Sequence, residues 1–85
     1  MDISRSEQRI LHLLAQGGSV RIEKDDGRHI SKIELFTREG WIFSGMQIET
    51  FRKLKRRGLI ASRNACPYHI TRRGLELVRA QANNR

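Results

Sequence analysis

An α+β fold is predicted for this 85-residue chain by three observations. Apolar residues recur at helical spacing near both ends and once in the interior; two other stretches alternate with a period of two; and glycines mark the changes of period. The predicted order is α-β-β-(β)-α-β-β-α in one domain spanning residues 1–85. A chain of this length buries only about 60 to 65% of its unfolded surface, so the core has to come from few elements.

Ser4-Arg5-Ser6-Glu7 has capping-box spacing and opens the first helix. Glu7, Ile10, Leu11 and Leu14 then fall at three- and four-residue intervals, making one stripe that can face a core, and Gly17-Gly18 ends the helix. From Val20 to Phe36 the period becomes two. Val20 and Ile22 alternate with Arg21 and Glu23, Ile33 and Leu35 with Lys32 and Glu34, and Asp26-Gly27 supplies a turn tolerant of positive φ. Trp41-Ile42-Phe43, between Gly40 and Gly45, reads as a short third strand or an apolar turn.

Helical spacing returns from Met46 to Arg57. Ile48, Phe51 and Leu54 lie on one side, the basic residues largely on the other, and Gly58 closes the helix. Two short strands, 60–62 and 68–70, flank Arg63-Asn64-Ala65-Cys66-Pro67. Thr71 caps a last helix with Leu75, Val78 and Ala82 as its stripe, and the tail Asn83-Asn84-Arg85 is expected to fray.

The charge is strongly localised. Arg52, Lys53, Lys55, Arg56, Arg57, Arg63, Arg72 and Arg73 carry eight positive charges over positions 52–73, where no Asp or Glu occurs, whereas residues 1–50 hold seven basic and eight acidic side chains. The formal net charge of +8 therefore sits in one stretch, as a surface that meets a polyanion or an acidic protein would require. The alternative is a merely solvated helix face. Absence of acidic neighbours over those positions argues against it. Arg-Lys-Leu-Lys-Arg-Arg at 52–57 also has the composition of a nuclear localisation run, but Phe51 and Leu54 at helical spacing indicate a folded helix.

A basic amphipathic helix followed by a two-stranded hairpin is how winged-helix domains present themselves to DNA, so the full expectation is a winged-helix-like α+β fold. Phe51 and Leu54 would anchor the helix, leaving its cations to reach phosphates or base edges, with Arg63 at the hairpin tip. The segment from Val20 to Phe43 departs from the usual pattern, since it places a β-hairpin where the second helix of a helix-turn-helix stands.

Other chemistry finds little support. His12, His29 and His69 with Cys66 show no recognised zinc spacing, and Cys66 with His69 supplies two ligands where a structural site needs four. His12 reads instead as a helix-face residue, His29 as a strand residue and Cys66 as a small residue at the base of the hairpin. The same Cys66 and His69 lack an orienting third group for nucleophilic catalysis, and Asp25-Asp26 near Glu23 sit where a turn favours Asp. The expectation is a protein that is not an enzyme, with no metal, cofactor or small-molecule substrate. One cysteine cannot form an internal disulfide, and no apolar stretch suits a membrane span or signal peptide, which points to the cytoplasm. Trp41, Phe43 and Phe36 are the aromatic concentration. In so small a chain Trp41 and Phe43 are expected to fill the interior or its edge; exposed, they would form a protein-binding patch.

The residues together resemble a known family. Ile3-Ser4-Arg5-x-Glu7-Gln8, Leu11-His12-x-Leu14-Ala15 with Gly17, Thr37-Arg38-Glu39-Gly40, Phe51-x-Lys53-Leu54-Lys55, Leu59-Ile60, Pro67-Tyr68-x-Ile70 and Val78-Arg79-Ala80-Gln81 through Asn84-Arg85 are similar, in order and spacing, to the YjhX family of small bacterial toxins. That resemblance implies a winged-helix-like toxin whose antitoxin resembles an acetyltransferase, and an action by inhibition of DNA topoisomerase I. It transfers no catalytic motif and no residue-level assignment. Three functions are thus expected to compete: a non-catalytic inhibitor that docks its basic face on topoisomerase I, on double-stranded DNA, or on both; a DNA-binding transcriptional regulator; and an interaction module that binds an antitoxin, or dimerises, through the Trp41 segment.

Overall fold

The computed structural model describes residues 4–64 and 67–83, with side chains through residue 80. In chain order the elements are α1 (Arg5–Ala15), β1 (Ser19–Lys24), β2 (Ile30–Phe36), β3 (Ile42–Phe43), α2 (Ile48–Arg56), β4 (Ile60–Ala61), β5 (His69–Ile70) and α3 (Arg72–Asn83). The protein is an α+β fold of three helices and two small antiparallel sheets, β1-β2-β3 and β4-β5. Cys66, at the expected hairpin base, and Asn84 and Arg85 of the tail lie outside the described residues, while α3 runs through Asn83.

Local bonds set both ends of α1, the end of α2 and the start of α3. The Ser4 hydroxyl accepts the Glu7 N–H at 3.2 Å and the Ser4 N–H donates to Glu7 Oε1 at 2.7 Å, so the capping box satisfies two backbone donors that α1 would leave unpaired. At the far end Gly17 N–H reaches the Leu14 carbonyl and Gly18 N–H reaches that of Leu13; α2 ends the same way, Gly58 on Lys55 and Leu59 on Leu54. These are Schellman endings, with Gly58 at φ 73° in the left-handed region that a side chain resists. Thr71 starts α3 by accepting the Gly74 N–H on Oγ1 at 3.1 Å.

The β1–β2 ladder pairs Val20 with Leu35 and Ile22 with Ile33, and sets Arg21 against Glu34 and Glu23 against Lys32. A bulge at Glu23/Lys24 precedes the turn. Here the expectation for Asp26-Gly27 needs amending: the left-handed residue is Arg28, at φ 65°, and not Gly27. Asp25 drives this arrangement, because its Oδ1 accepts both the Gly27 and the His29 N–H at 2.9 Å while its carbonyl accepts that of Arg28. The strain falls on the next residue.

Val20 joins the two sheets. Its N–H donates to the Tyr68 carbonyl at 2.9 Å and its carbonyl accepts the Tyr68 N–H at 2.8 Å, which brings the chain entering β5 alongside β1. The core gathers there: Ile10, Leu11 and Leu14 of α1, Val20 and Leu35 of the sheet, Phe51 and Leu54 of α2, and Leu59, Ile60 and Tyr68 are all buried. Phe51 and Tyr68 meet edge to face, ring centroids 4.9 Å apart at 87°. On α3 the apolar side differs by a fraction of a turn from the expected one. Gly74 is buried and Leu77 and Val78 pack on the core, with Leu75 only partly buried.

Candidate functional site

Backbone bonds assemble the basic stretch from three elements. Gly58, just past α2, accepts the Thr71 hydroxyl at 2.7 Å, and Leu59 accepts the Thr71 N–H at 2.9 Å. The C-terminal end of α2, with Lys55, Arg56 and Arg57, is thereby pinned beside the start of α3, with Arg72 and Arg73. Thr71, the residue before α3, is thus held against the residues that follow α2. Lys55 adds a third tie, its Nζ standing 5.6 Å from the centre of the Tyr68 ring at the entry to β5. Arg63 lies two residues beyond the last β4–β5 pair, Ala61 with His69.

The eight cations are not equivalent. Arg52, Lys55, Arg56, Arg63, Arg72 and Arg73 are exposed, whereas Arg57 at the α2 C-cap is half-buried. Lys53 points the other way. Its ammonium lies 3.2 Å from Glu7 Oε2 and donates to Oε1 at 3.3 Å, across to the first turn of α1. Arg72 has a looser partner, Glu76 one helical turn on at 3.8 Å, with both side chains mostly in water.

Glu7 is a residue whose importance the basic run alone conceals. It is 3% exposed, and burial by itself would raise its carboxyl; the Ser4 N–H, Lys53 and the Ser4 hydroxyl outweigh that and hold it below the usual carboxylate range. Oε2 receives no aligned hydrogen bond although Lys53 is close, so attraction of the charges rather than a second bond compensates that oxygen. The signal was in the sequence. A carboxylate at Glu7, inside the stripe Ile10, Leu11 and Leu14, has to find a cation once the stripe is buried.

Helix dipoles treat the two clusters differently. Lys53, Lys55 and Arg56 occupy the last turn of α2, where positive charge is favoured; Arg72 and Arg73 occupy the first turn of α3, which carries no acidic residue and where positive charge is disfavoured. The loose contact with Glu76 aside, the helix dipole does not favour this second pair. Beside the basic stretch, the hairpin forms an open groove bordered by Ala61, Arg63, Asn64, His69 and Thr71.

The aromatic segment divides. Phe43 packs against the core with the Arg9 guanidinium 5.6 Å from its ring centre, and Phe36 carries Arg21 at 5.4 Å. Trp41, expected in the interior or at its edge, is instead 74% exposed, with Ile42 at 55%. Trp41 stands one residue ahead of β3, and its exposure is shared by Ile42 inside the strand, so this edge of the sheet is left uncovered by the core. Among the described residues no group of three His, Cys, Asp or Glu side chains could hold a metal ion, and no helix is long and apolar enough to cross a membrane.

A helical α+β protein with a localised cationic surface is the class that these features define. The chain belongs to the YjhX toxin family, whose model matches residues 1–85 under the description "Putative toxin of bacterial toxin-antitoxin pair". It is 62% identical over 85 residues to a UPF0386 protein of Agrobacterium fabrum, 59% to one of Chelativorans sp. and 56% to one of Rhizobium johnstonii, each match covering 100% of both chains. No solved structure matches the chain significantly.

Proposed function

We propose that the chain is the toxin component of a toxin–antitoxin pair and acts without chemistry of its own, blocking DNA topoisomerase I by docking a basic face of α2, the β4–β5 hairpin and the start of α3. The contact set is Arg52, Lys55, Arg56, Arg57, Arg63, Arg72 and Arg73, with Lys53 supporting the face from behind through Glu7. Topoisomerase I as the target comes from the family resemblance. The single observation supporting the face is the Thr71 tie to Gly58 and Leu59, which holds the start of α3 against the chain just past α2. Arg72 and Arg73, placed against the dipole of α3, add to it: cations kept at a small cost to folding are accounted for by an anion they meet. Relaxation of supercoiled plasmid by topoisomerase I tests the proposal. Excess wild-type protein should inhibit it and the triple variant Arg52→Gln, Lys55→Gln, Arg56→Gln should not; full relaxation in the presence of the wild type would overturn it.

A second reading is a winged-helix DNA-binding regulator. The observation favouring it is that the basic helix α2 is followed by the β4–β5 hairpin, whose chain pairs with β1 through Val20 and Tyr68 just before β5, an order compatible with a wing. In that case α2 enters the major groove and Arg63 reaches flanking backbone. Nuclease-treated pull-down of topoisomerase compared with gel shift on plain duplex separates the two, since only the inhibitor retains its partner when DNA is destroyed.

A further inference from the structure

The β3 edge presents a surface that neither the core nor the basic face uses. Trp41 and Ile42 are the large apolar side chains exposed among the described residues, and they are consecutive. β3 is the outer strand of the β1-β2-β3 sheet: Ile42 and Phe43 pair with Phe36 and Leu35 on one side, and among the described residues no strand pairs with the other. The backbone that carries the indole is held firmly. Thr37 Oγ1 accepts the Trp41 N–H at 3.1 Å, and the Trp41 carbonyl accepts the Thr37 N–H at 2.7 Å. An aromatic displayed on a bonded turn loses little entropy when a partner covers it, which is the character of an interface anchor.

What covers it follows chiefly from the family. The net charge of +8 lies in positions 52–73, away from this edge, so it favours a protein of net negative charge over a second copy only as a long-range attraction to the whole chain, and the choice of occupant rests on the family. The family description supplies such a partner in kind, the other half of a toxin–antitoxin pair. We propose that the Trp41–Ile42 edge is the docking surface for the antitoxin, a protein of net negative charge that lays a strand or an apolar groove along β3 and encloses the indole. This rests on membership in a toxin–antitoxin pair and is independent of what the basic face meets.

The test uses the purified full chain and the antitoxin encoded with it. Trp41 is the only tryptophan, so the chain labelled with 5-fluorotryptophan reports contact at this position alone by fluorine NMR. The expected results are a shift of the Trp41 resonance on adding antitoxin and a loss of affinity of at least about 30-fold in Trp41→Ala, the scale of an interface hot spot. Circular dichroism should match the wild type, because the side chain lies outside the core. In the same titration Arg52→Glu, Arg56→Glu should still form the complex and shift that resonance. An antitoxin that binds wild type and Trp41→Ala equally overturns the docking surface alone, while one that ignores the wild-type chain overturns the pairing with it. A wild-type dimer in light scattering that Trp41→Ala dissolves gives the edge to a second copy and also overturns the proposal.

Discussion

The Glu7 carboxylate and the Lys53 ammonium lie 3.2 Å apart, joining the first turn of α1 to α2 across 46 positions of chain. The pair removes one cation from the basic run and uses it to fix the helix that displays the others. Two expectations follow, one for stability and one for binding.

Glu7→Gln keeps the shape of the side chain and loses its charge. It is expected to destabilise the protein by about 2 kcal/mol near pH 7, since Lys53 is only half buried and can regain water. The carboxyl is held below its ordinary range, so its contribution is complete above the unfolded value of about 4.3 and disappears as pH falls through the lower folded value. Urea unfolding at pH 7, 5 and 3 should show the gap between wild type and variant closing toward acid. A gap independent of pH would mean that packing, not charge, holds Glu7.

Lys53 and Lys55 are two residues apart and should behave oppositely. If DNA binding persists as part of the function, Lys55→Gln should reduce the logarithmic salt slope by about 0.9, the loss of one phosphate contact, and cost at most about 1 kcal/mol of stability through its contact with Tyr68. Lys53→Gln should lower the unfolding midpoint and change the slope little. Fluorescence anisotropy on a short duplex over a salt series, beside thermal melts, distinguishes them.

Gly74 allows α3 to start against the core. A Cβ there would stand 2.6 Å from the Leu59 carbonyl oxygen and 2.6 Å from Ile70 Cγ1, and the first of these is backbone that carries the Thr71 bond. Alanine gains about 1 kcal/mol of helix propensity over glycine, but overpacking against fixed backbone costs about 1 to 3 kcal/mol. Gly74→Ala should therefore be destabilised overall, with a lower midpoint in urea.

Arg28 occupies the left-handed region in the β1–β2 turn. Relief of about 1 to 2 kcal/mol at that position exceeds the backbone entropy glycine adds to the unfolded chain, about 0.5 to 1 kcal/mol. Arg28→Gly is expected to raise Tm by a few degrees. A lower Tm would show that the guanidinium contributes more to the hairpin than its backbone costs.

Phe51→Ala removes the ring that meets Tyr68 and anchors the basic helix. Loss of about 3 to 5 kcal/mol is comparable with the whole stability of a domain this size, so the variant should be largely unfolded at 37 °C by circular dichroism.

Local rules account for most of the element list. Ser4 and Glu7 at capping spacing, Gly17 and Gly58 at the helix ends, and strand alternation around Val20 and Leu35 each act within a few residues, so their outcome is readable without a fold. Where a local choice depended on its neighbours the reading slipped. Asp25 binds two N–H groups and moves the left-handed position from Gly27 to Arg28. Trp41 is a large aromatic of the kind that fills cores, but it lies with Ile42 at the outer strand of the sheet, where no core element packs over it among the described residues.

By itself the sequence determined the α+β class, the Ser4, Gly17, Gly58 and Thr71 helix ends and the concentration of charge between Arg52 and Arg73, because spacing, capping and composition are properties of a chain before it folds. It did not determine the start of α2, which is Ile48 rather than Met46. Only the tertiary structure decided that Lys53 belongs to Glu7, that Thr71 brings the start of α3 to the end of α2, and that Tyr68 links the hairpin to β1. Those are contacts between residues 12 to 48 positions apart, and nothing local selects them. They arise when a shared apolar core draws the elements together and each buried polar group must find its partner in whatever the packing brings near.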